Sequence, residues 1–96
     1  MRQRSFSELL GLAVKRHRER LALSQETLAE RADIHRTHVG FIERGERSPS
    51  VDVAAKVARA LGLTLSELAA EIEREWSPGA RGAPPKEVGQ GSALIA

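Results

Sequence analysis

Cysteine is absent from this 96-residue chain, so neither a disulfide framework nor a thiolate zinc site can hold it together. Tyrosine is absent too, and the aromatics are limited to Phe6, Phe41 and Trp76. A core must therefore come from Leu, Ile, Val and Ala, which suits compact helices better than strands. No apolar run approaches the length that spans a bilayer. The basic start, MRQRSF, leads into an amphipathic stretch rather than the apolar centre of a signal peptide, so a cytoplasmic protein is expected. His17, His35 and His38 have no acidic partners in a metal-binding arrangement, and no metal or cofactor is expected. A nucleophile–base pair, paired carboxylates in a cleft and a phosphate-cradling Gly loop are all missing, which argues against an enzyme.

The length allows one domain. Its charge is uneven: residues 1–47 carry ten Lys/Arg against seven Asp/Glu, whereas residues 48–76 carry three against five. A basic first half beside an acidic second half fits a nucleic-acid binder with a separate packing or dimerisation surface.

Apolar periodicity and capping signals predict five short helices, an all-α fold. The first runs from Phe6 to Arg20, opened by a Ser5/Glu8 capping box, with Leu9, Leu10, Ala13 and Val14 inward. Ser24 caps the second, whose inward residues are Leu28, Ala29 and Ala32; Asp33 and Ile34 break it without a glycine. The third covers Arg36 to Arg44, stops at Gly45 and buries Val39 and Ile42. Ser50 caps the fourth, with Val51, Ala54, Ala55, Ala58 and Leu61 inward. Thr64 and Glu67 box the fifth, whose stripe is Leu65, Leu68, Ala69, Ile72 and Trp76. The predicted domain is residues 1–76, with the last helix left for dimerisation. Residues 77–96, rich in Gly and Pro, read as a flexible tail.

The close spacing of the second and third helices points to function. A short helix, a tight corner and another short helix let one cross the DNA backbone while the next enters the major groove. Arg36, Thr37 and His38, at the start of the third helix, are then placed to reach base edges. Arginine can fork onto guanine, and threonine can meet a thymine methyl or exchange hydrogen bonds. Gln25, at the start of the second helix, and Arg44 and Arg47, at the exit of the third, are candidate phosphate contacts. Glu43 is read as a structural ion-pair partner of Arg18. Phe41 is read as a contact between the third helix and the DNA backbone or a neighbouring chain. Leu65, Ile72 and Trp76 are core residues that also outlast a small core, and a terminal Trp is a typical interface anchor.

Several strings carry a family resemblance. They are Ser24-Gln25, Leu28-Ala29, Ile42-Glu43-Arg44-Gly45, Pro49-Ser50 and Ala60-Leu61-Gly62, in order and in register. Over residues 8–73 the chain resembles the Cro/phage-repressor (XRE-type) helix-turn-helix family. The resemblance implies a compact lambda-repressor-like domain and a regulator of transcription. ADIHRTHVGFIERGERSPS looks, within that family, like the controller proteins of restriction–modification systems, which implies dimers formed through the last helix. His38 stands where those controllers tend to have tyrosine, and Gly40 is unusual inside a helix. His17 replaces an apolar core residue, implying a half-buried imidazole or a rotated first helix. Ala22 replaces a glycine, implying a corner without a left-handed residue.

The expected function is a homodimeric regulator that binds an inverted repeat in double-stranded DNA. One alternative is a DNA-binding antitoxin whose tail folds on a toxin. Another is a protein-interaction module on a degenerate scaffold, which the retained Arg36, Thr37 and Arg47 disfavour.

Overall fold

The computed structural model describes residues 3–77. The tail reading, and with it the antitoxin alternative, falls on residues 78–96, outside the described residues. Five helices follow one another: α1 (Phe6–Arg20), α2 (Gln25–Ala32), α3 (Arg36–Glu43), α4 (Val51–Ala60) and α5 (Leu65–Glu73), with no strand among the described residues. Both capping boxes are formed, with Ser5 and Glu8 at α1 and with Thr64 and Glu67 at α5. Ser24 Oγ accepts the Thr27 N–H at 2.9 Å and Ser50 Oγ the Val53 N–H at 3.1 Å, satisfying donors that have no partner inside their own helix.

The first four helices end in the same way. A residue with positive φ turns the chain, and the next N–H reaches back to the helix. Leu23 bonds the Arg18 carbonyl, Ile34 that of Ala29, Glu46 that of Phe41 and Leu63 that of Ala58. Glycine turns two of these corners, Gly45 at φ 70° and Gly62 at φ 81°; the others use Ala22 at φ 59° and Asp33 at φ 57°. The expectation for Ala22 is therefore corrected. The corner after α1 does require the left-handed conformation, and an alanine adopts it against its steric preference.

Inside lie Leu9, Leu10, Ala13, Val14, Leu28, Ala29, Ala32, Val39, Ile42, Val57, Ala58, Leu61, Leu68 and Ile72. Val51 does not join them: it is 72% exposed, because the Ser50 cap makes it the first helical residue, outside the packed turns. Val57 takes that place in the core, with Val53 packed against it.

Gly11 sets how close α1 lies to α3. A Cβ placed there would meet the Ile42 carbonyl oxygen at 2.3 Å and that of Glu43 at 2.6 Å. Only glycine lets the two backbones touch. Helix α3 is thus fixed by main-chain contact as well as by side-chain packing.

Candidate nucleic-acid interface

Helix α3 is short, so its placement depends on its neighbours rather than on intrinsic helix propensity. Its inner face carries Val39, Ile42 and Glu43. Glu43 is only 8% exposed, yet it ties three elements together. Arg18 of α1 donates to it twice, Nε to Oε2 at 2.6 Å and a terminal nitrogen to Oε1 at 3.1 Å. Gln25 of α2 donates its amide to the same Oε1 at 3.0 Å. The other terminal nitrogen of Arg18 donates to the Leu23 carbonyl at the α1–α2 corner, 2.8 Å. The hydrogen bond to Glu43 pushes the Arg18 guanidinium above its usual value, against burial.

The opposite face of α3 carries Thr37 and Phe41, one turn apart, and Arg44 at the exit. Arg36 and Thr37 are exposed in the first turn, and His38 lies half-buried beside them. Arg36 pairs loosely with Glu26 of α2 at 3.8 Å, both side chains mostly solvated. Such a pair is weak and gives way readily to another anion. The helix start is capped by His35, whose Nδ1 accepts the Thr37 N–H at 3.0 Å. Sequence reasoning missed this cap because histidine is not a usual capping residue. The signal available was the absence of Ser, Thr, Asp or Asn immediately before Arg36.

At the exit the two candidate phosphate arginines differ. Arg44 donates to Glu46, from Nε to Oε2 at 2.9 Å and from a terminal nitrogen to Oε1 at 3.4 Å, which raises its pKa. Its guanidinium also lies over Gly40, where an added Cβ would approach it to 3.0 Å. Arg47 has no ion pair or hydrogen bond among the described residues; its guanidinium carbon sits 4.5 Å from the centre of the Phe41 ring.

His17 proves to be a half-buried imidazole between α1 and α5. Arginine only donates, so the 2.8 Å contact from Arg20 makes Nδ1 an acceptor, and Nε2–H donates to Glu71 at 2.8 Å. Arg16 also pairs with Glu71.

One of the residues assigned to a dimer surface needs correction. Ile72 is 2% exposed within its own chain's core and has no surface left for a partner. The 3.6-residue period marks a buried stripe but does not tell which chain buries it. Leu65 and Trp76 remain half-buried. The Trp76 ring meets Phe6 edge-on, with centroids 5.2 Å apart.

These features define a helix-turn-helix protein: a helix with an outward polar start, locked from behind by its predecessor. Residues 14–68 match the profile of the helix-turn-helix family. The control protein C.MunI of a Mycoplasma species is 43% identical over 61 residues, 64% of this chain and 82% of that protein. Among solved structures, the restriction–modification controller protein C.AhdI of Aeromonas hydrophila superposes with a TM-score of 0.62 at 37% identity, covering 65% of this chain and 94% of that one. The clp gene regulator ClgR of Corynebacterium glutamicum reaches a TM-score of 0.71 at 25% identity, covering 76% and 78% of the two chains. The chain belongs to the helix-turn-helix family of DNA-binding transcriptional regulators. These relatives are regulators rather than enzymes. No described helix is long and apolar enough to cross a membrane.

Proposed function

We propose that this chain is a non-enzymatic, cytoplasmic control protein that binds an inverted repeat as a homodimer and regulates the genes of a restriction–modification system. The observation that carries the reading is the division of labour on α3. Its inner end is held by Arg18 and Gln25 through Glu43, while Arg36 and Thr37 stand exposed at its start. The control-protein names of similar chains support the choice of regulated genes.

In this reading α3 lies in the major groove. Arg36 and Thr37 contact base edges, with His38 beside them. Gln25 spends one amide hydrogen on Glu43 and offers the second to a phosphate at the start of α2. Leu65 and Trp76 supply the apolar part of the dimer contact, giving two copies of α3 for two half-sites.

Selection from a randomised duplex library, followed by titration of the enriched duplex against salt, tests this. A palindromic duplex whose affinity falls steeply with salt is expected. Arg36→Ala should cost about 1–3 kcal/mol and relax discrimination at one position in each half-site. Uniform weak binding with no enriched sequence would sink the reading.

A further inference from the structure

Phe41 occupies the outward face of α3, four residues after Thr37 and so one turn further along the same side. It is the one aromatic ring on the polar face of a helix whose other large apolar residues, Val39 and Ile42, are buried. Two guanidinium groups share this ring, Arg47 with its central carbon 4.5 Å from the centroid and Arg44 at 5.5 Å. Their charge balance differs. Arg44 is neutralised by Glu46 and folded over Gly40. Arg47 has only the ring beneath it, and its donors have no partner among the described residues.

The geometry points to Phe41 as a positioning residue for DNA binding, holding the Arg47 guanidinium in the orientation that meets a phosphate beside the end of α3. This rests on the DNA reading above and adds a division between the two arginines. Arg47 is the phosphate ligand, and Arg44 packs the helix exit. The physical reason is preorganisation. A flexible arginine must give up rotamer freedom when it binds, and a ring face that already restrains the side chain lowers that cost. The ring lies against the Arg47 guanidinium, and none of its N–H donors is bonded among the described residues, so they stay available to a phosphate. Glu46 instead engages two of Arg44's donors, Nε and one terminal nitrogen.

The test is a double-mutant cycle on the enriched duplex, with Phe41→Leu, Phe41→Tyr, Arg47→Ala and the Phe41→Leu/Arg47→Ala pair, each titrated over a range of salt. Leucine keeps apolar bulk but removes the ring face; tyrosine keeps the face. Arg47→Ala should flatten the log–log salt dependence by about one unit. Phe41→Leu should weaken binding ~3–5-fold and add nothing once Arg47 is gone. Phe41→Tyr should bind like the parent. In the free protein, the upfield ring-current shift of the Arg47 side-chain protons should vanish in Phe41→Leu and persist in Phe41→Tyr, which reports the stack independently of DNA.

Losses that multiply in the double variant would overturn the proposal, as would a Phe41→Leu loss confined to duplexes with one particular thymine. The latter result would make Phe41 a direct base contact. If Arg36→Ala still relaxes discrimination, only the platform idea falls; if no duplex is enriched at all, the DNA reading and this inference fall together.

Discussion

Helix α1 makes two seams, one with helix α3 and one with helix α5, and they are built from different physics. At the α3 seam two backbones touch through Gly11, and a buried arginine–carboxylate pair closes the end. At the α5 seam Leu68 and Ile72 pack, while Arg16, His17 and Glu71 form a cluster whose Glu71 side chain is 23% and Arg16 side chain 53% exposed. The first seam tolerates little adjustment and little influence from salt. The second is partly solvated and responds to both salt and pH. The element proposed to read DNA is held rigidly; the element proposed to meet a partner chain is held by contacts that solution conditions can tune.

The sharpest way to break this contrast is at Glu43. Glu43→Ala leaves Arg18, its side chain only 12% exposed, without a counter-charge and should cost about 3–5 kcal/mol in urea unfolding. Replacing the pair together, Arg18→Met with Glu43→Leu, should recover most of that loss. A double variant as unstable as the single one would show that Glu43 matters for something other than its charge pairing. Next comes Gly11→Ala. Its Cβ would fall on backbone atoms that cannot swing aside, so a loss of about 3 kcal/mol is expected, measured as a lower urea midpoint. An unchanged midpoint would mean that the α1–α3 distance is adjustable after all.

The α5 seam should respond more mildly. Glu71→Gln is expected to cost ~1 kcal/mol, and less at high salt. Burial pushes the Glu71 carboxyl up, but hydrogen bonds from His17 and Arg16 outweigh it and hold the pKa below the usual 4.5. A depressed folded-state value stabilises the fold above the unfolded value and loses that contribution as pH falls through the folded one. The gap between parent and Glu71→Gln should therefore close on acidification below pH 4.5, followed by unfolding at a series of pH values. A gap that widens would reverse the sign of the coupling. The smallest effect is a gain: Ala22→Gly relieves the left-handed alanine and should add about 0.5–1 kcal/mol.

The parts of the molecule that the sequence made legible are those determined locally. Ser5 with Glu8, Thr64 with Glu67, and the caps Ser24 and Ser50 were readable because a cap needs only its own next turn. Arg36 and Thr37 were placed at the helix start for the same reason. What stayed hidden depends on partners distant in sequence or on a residue playing an unusual part. Gly11 looks like a helix-weakening residue until the carbonyls of Ile42 and Glu43 are set beside it. Alanine at 22 does not itself signal positive φ; the glycine that the resemblance expects there does, and the bond from the Leu23 N–H to the Arg18 carbonyl closes the turn. Ile72 fits one stripe with Leu65 and Trp76, and periodicity alone does not separate a core position from an interface one. Arg44 and Arg47 look alike as sequence; Glu46 and the Phe41 ring make them different.

Since α1 touches α3 through main-chain atoms at Gly11, the height at which α3 stands out from the body is a fixed length, independent of which side chains fill the core. Under the proposed function, outer residues such as Arg36, Thr37, Phe41 and Arg47 form an exchangeable reading head. Grafts that keep glycine at position 11 would present the new head at the same depth, so a change in the sequence preferred could be traced to the exchanged side chains.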